Sequence, residues 1–385
     1  MDLKYGCNPH QGFASAEAME GRDAPIALRN GRPSMINLLD ALNAWQLVAE
    51  LRAALDLPAA TSFKHVSPAG AAVSTELPDD LARAYEVAGR ELTPLATAYV
   101  RARGADPKCS FGDFVALSDP VDQATANFLK GVVSDGVIAP GFEASALETL
   151  AAKKKGSFIV IEADPSYRPP ERETREVFGY ELTQDRNNRA ITLADLDDVK
   201  TGSLGADARR DLVLGLITLK YTQSNSIGYA QGGQMIGIGA GQQSRVDCTK
   251  LAGGKADTWH LGRHPKVLGL DFRKGVKRQD RINWRVRFIE GDLTAGEEKA
   301  LSDALEHPLV LLTPDERAEW IAELDGVSLA SDGFIPFRDN IDHAARHGVK
   351  FIAQPGGSTR DAEIEAACKE YGIAMVHTDL RLFHH

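Results

Sequence analysis

Apolar positions in this chain switch between two periods, and the switching predicts an alternation of helices and short strands. From Asn37 to Leu55, Leu38, Leu42, Trp45, Val48 (or Ala49) and Leu55 fall on one face of a helix, with Asn37 as N-cap and Asp40 in the first turn. Thr61 to Val66 then reads as a strand, followed by short apolar runs at Val132-Val133, Val137 to Ala139 and Phe158 to Ile161. Helical segments separate them, which predicts a mostly parallel sheet covered by helices. Residues 163–208 change character: Pro165, Pro169, Pro170, dense charge and Asn187-Asn188 predict a connecting region. Leu212 to Lys220 is apolar and compatible with either helix or strand. Ser226 to Ile238 reads as a hairpin about Gly232-Gly233. Thr313-Pro314-Asp315-Glu316 opens a helix, and the tail runs strand (Val349 to Ala353), Gly-Gly loop, helix (Asp361 to Tyr371), strand (Ile373 to Val376). A weak two-block architecture results.

Composition narrows the class. With 385 residues, 43% hydrophobic and 25% charged, the chain can bury a large core. A formal net charge of −10 argues against a nucleic acid or an anionic membrane as partner. Cys7, Cys109, Cys248 and Cys368 lie far apart with no Cys-x-x-Cys pair, as in a reducing compartment. No apolar run reaches the ~20 residues of a membrane span, and the first residues lack a signal-peptide core, so a cytoplasmic location is expected.

Candidate chemistry centres on Ser62-Phe63-Lys64-His65-Val66-Ser67-Pro68. A cation beside an imidazole favours the neutral ring that a general base needs. The end of a strand can present both groups at the open edge of a sheet. A solvated edge is the commoner origin of such a pair. Gly237-Ile238-Gly239-Ala240-Gly241 misses the dinucleotide spacing, but its glycines allow close approach of a ligand, and Arg245 behind them suits a planar or anionic group. A kinked turn with a surface arginine reads equally well. Asn225, in Tyr221 to Ser226, is suited to an oxyanion or a carboxamide, or to capping a helix. Ser331 to Asn340 joins two phenylalanines and a proline to Asp339, which describes either a flat slot for a heteroaromatic ring or a buried loop. Gln354-Pro355-Gly356-Gly357 falls between strand and helix, where ligands of α/β sheets bind. His384-His385 alone reads as a tag remnant or a loose end, and Lys153-Lys154-Lys155 as a helix C-terminus. The zinc-deaminase signature, the Gly-x-Ser-x-Gly elbow and the P-loop are missing.

Taken together, these segments resemble the AICAR formyltransferase family, the transformylase portion of the bifunctional purine enzymes. (AICAR is 5-aminoimidazole-4-carboxamide ribonucleotide.) The resemblance runs from Leu3-Lys4-Tyr5-Gly6-Cys7-Asn8-Pro9 to Leu380-Arg381-Leu382-Phe383-His384-His385. It includes Ala41 to Gln46, Lys64-His65, Arg101 to Asp106, Ser110 to Phe114 and the three glycine, asparagine and phenylalanine runs above. It implies two tandem zinc-free cytidine-deaminase-like α/β/α domains, 1–195 and 196–385, in a homodimer with active sites at the interface. The implied reaction moves a formyl group from 10-formyltetrahydrofolate to the 5-amino group of AICAR, a step of purine (IMP) biosynthesis. His65 is then the proton acceptor, Lys64 its essential neighbour and Asn225 the carboxamide or oxyanion contact. Lys4, Tyr5 and Arg381 match phosphate contacts, and Asn37, Gly112, Asp135, Arg245 and Phe334 the rest of the nucleotide pocket. Val246, Pro336, Phe337, Asp339 and Gly356 match the folate side. Asp332 and His384 fall where some members hold a monovalent cation such as potassium; no catalytic metal is implied. Lys4 stands where the family usually has arginine, and Ile335 replaces an aromatic residue of some members. The cyclohydrolase portion that usually precedes this region does not appear, which predicts a chain that leaves ring closure to another enzyme, or a fragment of a longer one.

Overall fold

The computed structural model describes residues 1–19 and 21–385. Its longest helix, Met35–Leu55, starts two residues before the sequence expectation. Ser34 is the N-cap, and Asn37, the expected cap, is instead the third helical residue of a capping box, its side chain returning to the Ser34 N–H. Leu38, Ala41, Ala44, Leu47, Val48 and Leu51 are buried along one face of this helix. A second central helix, Ala206–Lys220, is buried almost all round from Asp211 to Lys220. That explains why its sequence carries no amphipathic period: it has no solvent face to mark.

The strands are β1 (Ile26–Asn30), β2 (Ala59–Lys64), β3 (Ser67–Val73), β4 (Asp113–Leu117), β5 (Ser134–Ala139), β6 (Ile159–Ala163), β7 (Arg172–Val177), β8 (Tyr180–Asp185), β9 (Val199–Thr201), β10 (Ile227–Gln231), β11 (Gln234–Gly239), β12 (Val327–Ser331), β13 (Val349–Gln354) and β14 (Ala374–His377). Twelve of them form one sheet in the order β1-β6-β5-β4-β2-β3-β11-β10-β12-β13-β14-β9; β7 and β8 form a separate two-stranded hairpin. Of the eleven neighbouring pairs in the large sheet, four are parallel and seven antiparallel.

The expectation of two tandem cytidine-deaminase-like domains, and of a mostly parallel sheet, is therefore corrected to one mixed twelve-stranded sheet. Two observations explain the unity. The helices Met35–Leu55 and Ala206–Lys220 share one apolar core, in which Leu47 and Leu51 join Leu212 and Leu216 and reach Ala353 and Val376. The sheet is also continuous across β3 and β11, which meet antiparallel at Gln234↔Ala72. Side chains grip the Gly232-Gly233 turn at this seam. Asp211 accepts both turn N–H groups at 2.7 Å, while Arg101 and Thr75 donate to the Gly232 carbonyl at 2.6 and 2.7 Å. The opposite face of the sheet is covered by Pro94–Gly104 and Gln123–Lys130 on one side of the seam and by Arg245–Leu261, Asp339–Ala345 and Asp361–Glu370 on the other. No helix among the described residues is long and apolar enough to cross a membrane.

Candidate active site

Strand register places most candidate residues on one edge of the sheet. The pairs Lys64↔Ser67, Phe63↔Phe114 and Asp113↔Ser134 align the β2–β3 turn with the starts of β4 and β5. Ile227↔Gly239, Ile227↔Ser331 and Gln354↔His377 align the start of β10 with the ends of β11 to β14. The antiparallel β3–β11 seam puts both sets on the same side, and the Gln223 N–H donates to Ser67 Oγ at 3.4 Å across it.

Lys64 and His65 lie at a two-residue hairpin turn. His65 and Val66 have φ of 54° and 58°, the left-handed region. Such turns usually take Asn-Gly, and a β-branched residue there is strained by ~1–3 kcal/mol. The turn leaves the His65 imidazole exposed. Lys64 Nζ donates to the Phe111 carbonyl at 2.6 Å, so the ammonium spans from β2 to the loop that carries Gly112. Under the turn, Asp40 Oδ1 accepts the Val66 N–H at 2.6 Å. Burial pushes the Asp40 carboxyl up to about 6, against the opposing pull of the Val66 N–H and His65.

A second cluster surrounds Asp332, which is fully buried after β12. Its carboxylate accepts from Arg245 Nη1 at 2.6 Å, Ser224 Oγ at 2.6 Å and the Ser226 N–H at 2.8 Å. Arg245, the first residue of its helix, also donates to Ser331 Oγ at 2.9 Å and, through Nη2, to Asn225 Oδ1 at 2.8 Å. Asn225 Nδ2 donates to the Gln242 carbonyl at 3.0 Å. Arg245 is thus a buried partner of Asp332 that orients Asn225, rather than an unpaired cation. The run before Asn225 is held by Glu50, which accepts from Lys220 Nζ and Tyr221 Oη, each at 2.8 Å.

The remaining candidates fall around these two clusters. The Lys4 N–H donates to the Pro33 carbonyl and the Tyr5 carbonyl accepts the Met35 N–H, which sets both beside Asn37 at the helix start. The Asn37 Oδ1 is committed to Ser34. Gly112 has φ of 75° with open space at its Cα, and Asp135 pairs with Lys154 at 2.7 Å. Phe334 and Phe337 are exposed, Pro336 and Val246 half-buried, and the Arg360 guanidinium lies 5.0 Å from the Phe337 ring centre. Asp339 opens the helix Asp339–Ala345 and accepts from Asn340 Nδ2 at 2.8 Å. Gly356 has φ of 75°, and a Cβ there would sit 2.6 Å from His377 Nδ1. Arg381 and His384 line a cleft of about 1730 Å³ together with Val66, Tyr221 and Gln223. The chain end is ordered: the Leu382 N–H donates to the Asp332 carbonyl at 2.8 Å and the His384 N–H to Ser224 Oγ at 3.1 Å.

Not all of these meet. Asp135 at β5 and Phe334 beyond β12 are six strand positions apart in the sheet order, ~29 Å at normal strand spacing. One nucleotide does not bridge that distance within one chain. Around Asp332 and His384, Arg245 and two further donors already engage the Asp332 carboxylate. Two buried groups close to these candidates escaped the sequence reading. Asp40 looks like an ordinary first-turn acid, and only the fold brings Val66 to it. Lys153, read as a helix terminus, donates to the Leu129 carbonyl and to Ser134 Oγ, both at 2.8 Å, and burial pushes its amine down to about 7.

Comparison with known proteins agrees with the resemblance. Residues 1–255 match the family described as AICARFT/IMPCHase bienzyme. Over the whole chain, the bifunctional purine biosynthesis protein PurH of Dinoroseobacter shibae is 32% identical across 388 residues, and that of Magnetococcus marinus 32% across 390. The PurH of Ruegeria sp. is 30% identical across 395 residues. The chain spans 59% of the length of each of these relatives. With two thirds of its length matched by the family and all of it aligned to these proteins, the chain belongs to the AICARFT/IMPCHase bienzyme family.

Proposed function

We propose that this chain transfers the formyl group of 10-formyltetrahydrofolate to the 5-amino group of AICAR, giving formyl-AICAR and tetrahydrofolate. Family membership supports the reaction class. The observation that carries the assignment is the exposed His65 imidazole on a strained hairpin turn, with Lys64 beside it. The AICAR amine is a weak nucleophile because its lone pair is delocalised into the ring and carboxamide. His65 accepts a proton from that nitrogen as it attacks the formyl carbon, help worth ~10²–10⁴ in rate. The N–C bond forms, the bond from the formyl carbon to folate N10 breaks, and N10 takes a proton. Lys64 and Asn225 face the negative charge that develops on the formyl oxygen. Lys4, Tyr5 and Arg381 hold the phosphate, and Asn37, Gly112, Asp135, Arg245 and Phe334 the nucleoside, with Arg245 acting through Asn225. The folate rings pack near Val246, Pro336 and Phe337, with Asp339 and Gly356 beside them.

The ~29 Å between Asp135 and Phe334 supports a homodimer in which each site combines the hairpin stretch of one copy with the β12 stretch of the other. Mixing His65→Ala with Phe334→Asp protomers then regenerates one intact site per mixed dimer, about a quarter of wild-type activity in a random mixture. No recovery in demonstrably mixed dimers refutes the shared site. The activity itself is tested by tetrahydrofolate formation from AICAR and 10-formyltetrahydrofolate. Wild type turns over, and His65→Ala loses ~10²-fold or more in kcat while still binding AICAR. Absence of wild-type turnover at saturation, or formate release without AICAR, overturns the proposal.

A further inference from the structure

We propose that Asp40 is the positioning residue of the Lys64–His65 hairpin, its buried carboxylate fixing the turn that aims the imidazole. What His65 does rests on the formyltransfer reading, whereas how it is held is a matter of geometry. Two consecutive residues of the turn, His65 and Val66, occupy the left-handed region without glycine. Such a conformation persists only where the surroundings over-determine it. The cross-strand ladder holds the turn from Lys64 and Ser67 outward. Within the turn, the one side-chain acceptor for a backbone N–H among the described residues is Asp40 Oδ1, at 2.6 Å from the Val66 nitrogen.

The acceptor is also built into the core. Asp40 is 7% exposed on the helix Met35–Leu55, one turn beyond Asn37, and Leu38 and Ala41 of the same helix are also buried. No other hydrogen-bond donor reaches it among the described residues, so its role is narrow. The charged groups that face it are His65 from the turn, Asp113 from β4 and Asp135 from β5. A carboxylate set among two others and away from water is an unfavourable choice for packing alone. Its position under the turn supplies the compensating purpose.

The test separates placement from folding. Asp40→Ala and Asp40→Leu remove the acceptor; Asp40→Asn keeps an oxygen for the Val66 N–H. With wild type active, Asp40→Ala and Asp40→Leu lower kcat by ~10–100-fold with KM for AICAR within ~3-fold, the scale of an ångström misplacement. Asp40→Asn recovers at least ~10-fold of that loss. Thermal melts of each variant identify any that fail to fold. Should both truncations fail, hydrogen exchange of the Val66 amide in the wild type decides, with protection of ~10²-fold or more expected. A truncation that folds and keeps kcat within ~2-fold, an Asn variant no better than Ala, or an unprotected Val66 amide overturns the role of Asp40. Wild type without turnover would instead refute the reading on which it rests, and the exchange measurement would still report on the turn.

Discussion

Replacing Asp332 by alanine removes the carboxylate on which the Asn225 segment and the Arg245 helix converge, and leaves the backbone carbonyl that accepts the Leu382 N–H. Three donors lose their partner: Arg245 Nη1 at 2.6 Å, Ser224 Oγ at 2.6 Å and the Ser226 N–H at 2.8 Å. Arg245 is only 8% exposed, so its guanidinium stays in the interior without a counter-charge. Breaking a buried pair from one side costs ~3–5 kcal/mol. The orphaned Ser226 amide adds ~1–3 kcal/mol, less whatever relaxation and water recover. A net loss of about 4 kcal/mol is a large share of the ~5–15 kcal/mol that holds a typical domain. At a urea dependence of ~3 kcal/mol/M, the unfolding midpoint falls by more than 1 M. Removing both charges, as in Arg245→Met with Asp332→Leu, relieves the unpaired guanidinium and regains ~2 kcal/mol or more over Asp332→Ala. On the proposed function, formyltransfer falls in that double variant, because Asn225 has lost its orienting partner Arg245. Urea titrations followed by circular dichroism read all three proteins. An Asp332→Ala midpoint within ~0.3 M of wild type, or a double variant no more stable than the single, refutes the view of Asp332 as the hub.

Three further predictions follow from local geometry. Asp40 has its pKa raised from 3.8 to about 6, so the folded chain keeps a proton that the unfolded chain has already released between those values, and stability falls as pH rises through that window. Asp40→Asn is accordingly more stable than wild type at pH 8, by at most ~3 kcal/mol, and indistinguishable near pH 3.5; a difference that does not change with pH contradicts this. Gly356→Ala combines φ of 75° with a 2.6 Å approach to His377 Nδ1, and lowers stability by ~1–3 kcal/mol in thermal or urea unfolding; a neutral effect contradicts the geometry. Lys154→Gln breaks a half-exposed pair with Asp135, so stability changes by less than ~1 kcal/mol, and a rise in KM for AICAR reports a role of Asp135 in the site.

What the sequence revealed follows from how local each signal is. The Thr313 cap, with Glu316 returning to its N–H, and the Gly232-Gly233 hairpin were legible because each is complete within a few residues. The edge position of Lys64 and His65 was legible for the same reason. The single sheet was not, because β3 and β11 are joined by one residue pair some 160 positions apart and by side chains such as Arg101 and Asp211 that resemble surface charges in sequence. The β7–β8 hairpin escaped because both strands are exposed, with no buried face to impose an alternating pattern. Arg245 read as a free cation because its partner lies 87 residues away.

The seam between β3 and β11 also sets an order of assembly during synthesis. β3 is complete at Val73, but the strand that covers it begins at Gln234. At ~5–20 residues per second, the ribosome needs roughly 8–32 s to deliver it. Throughout that interval the nascent chain carries an unpaired, largely apolar strand edge, the kind of surface that recruits other chains. The ties of Leu382 to the Asp332 carbonyl and of His384 to Ser224 form later still, once those residues have been made. The candidate edge is therefore assembled only after the second half of the sheet has been made, and until then the first half keeps an open strand edge at β3.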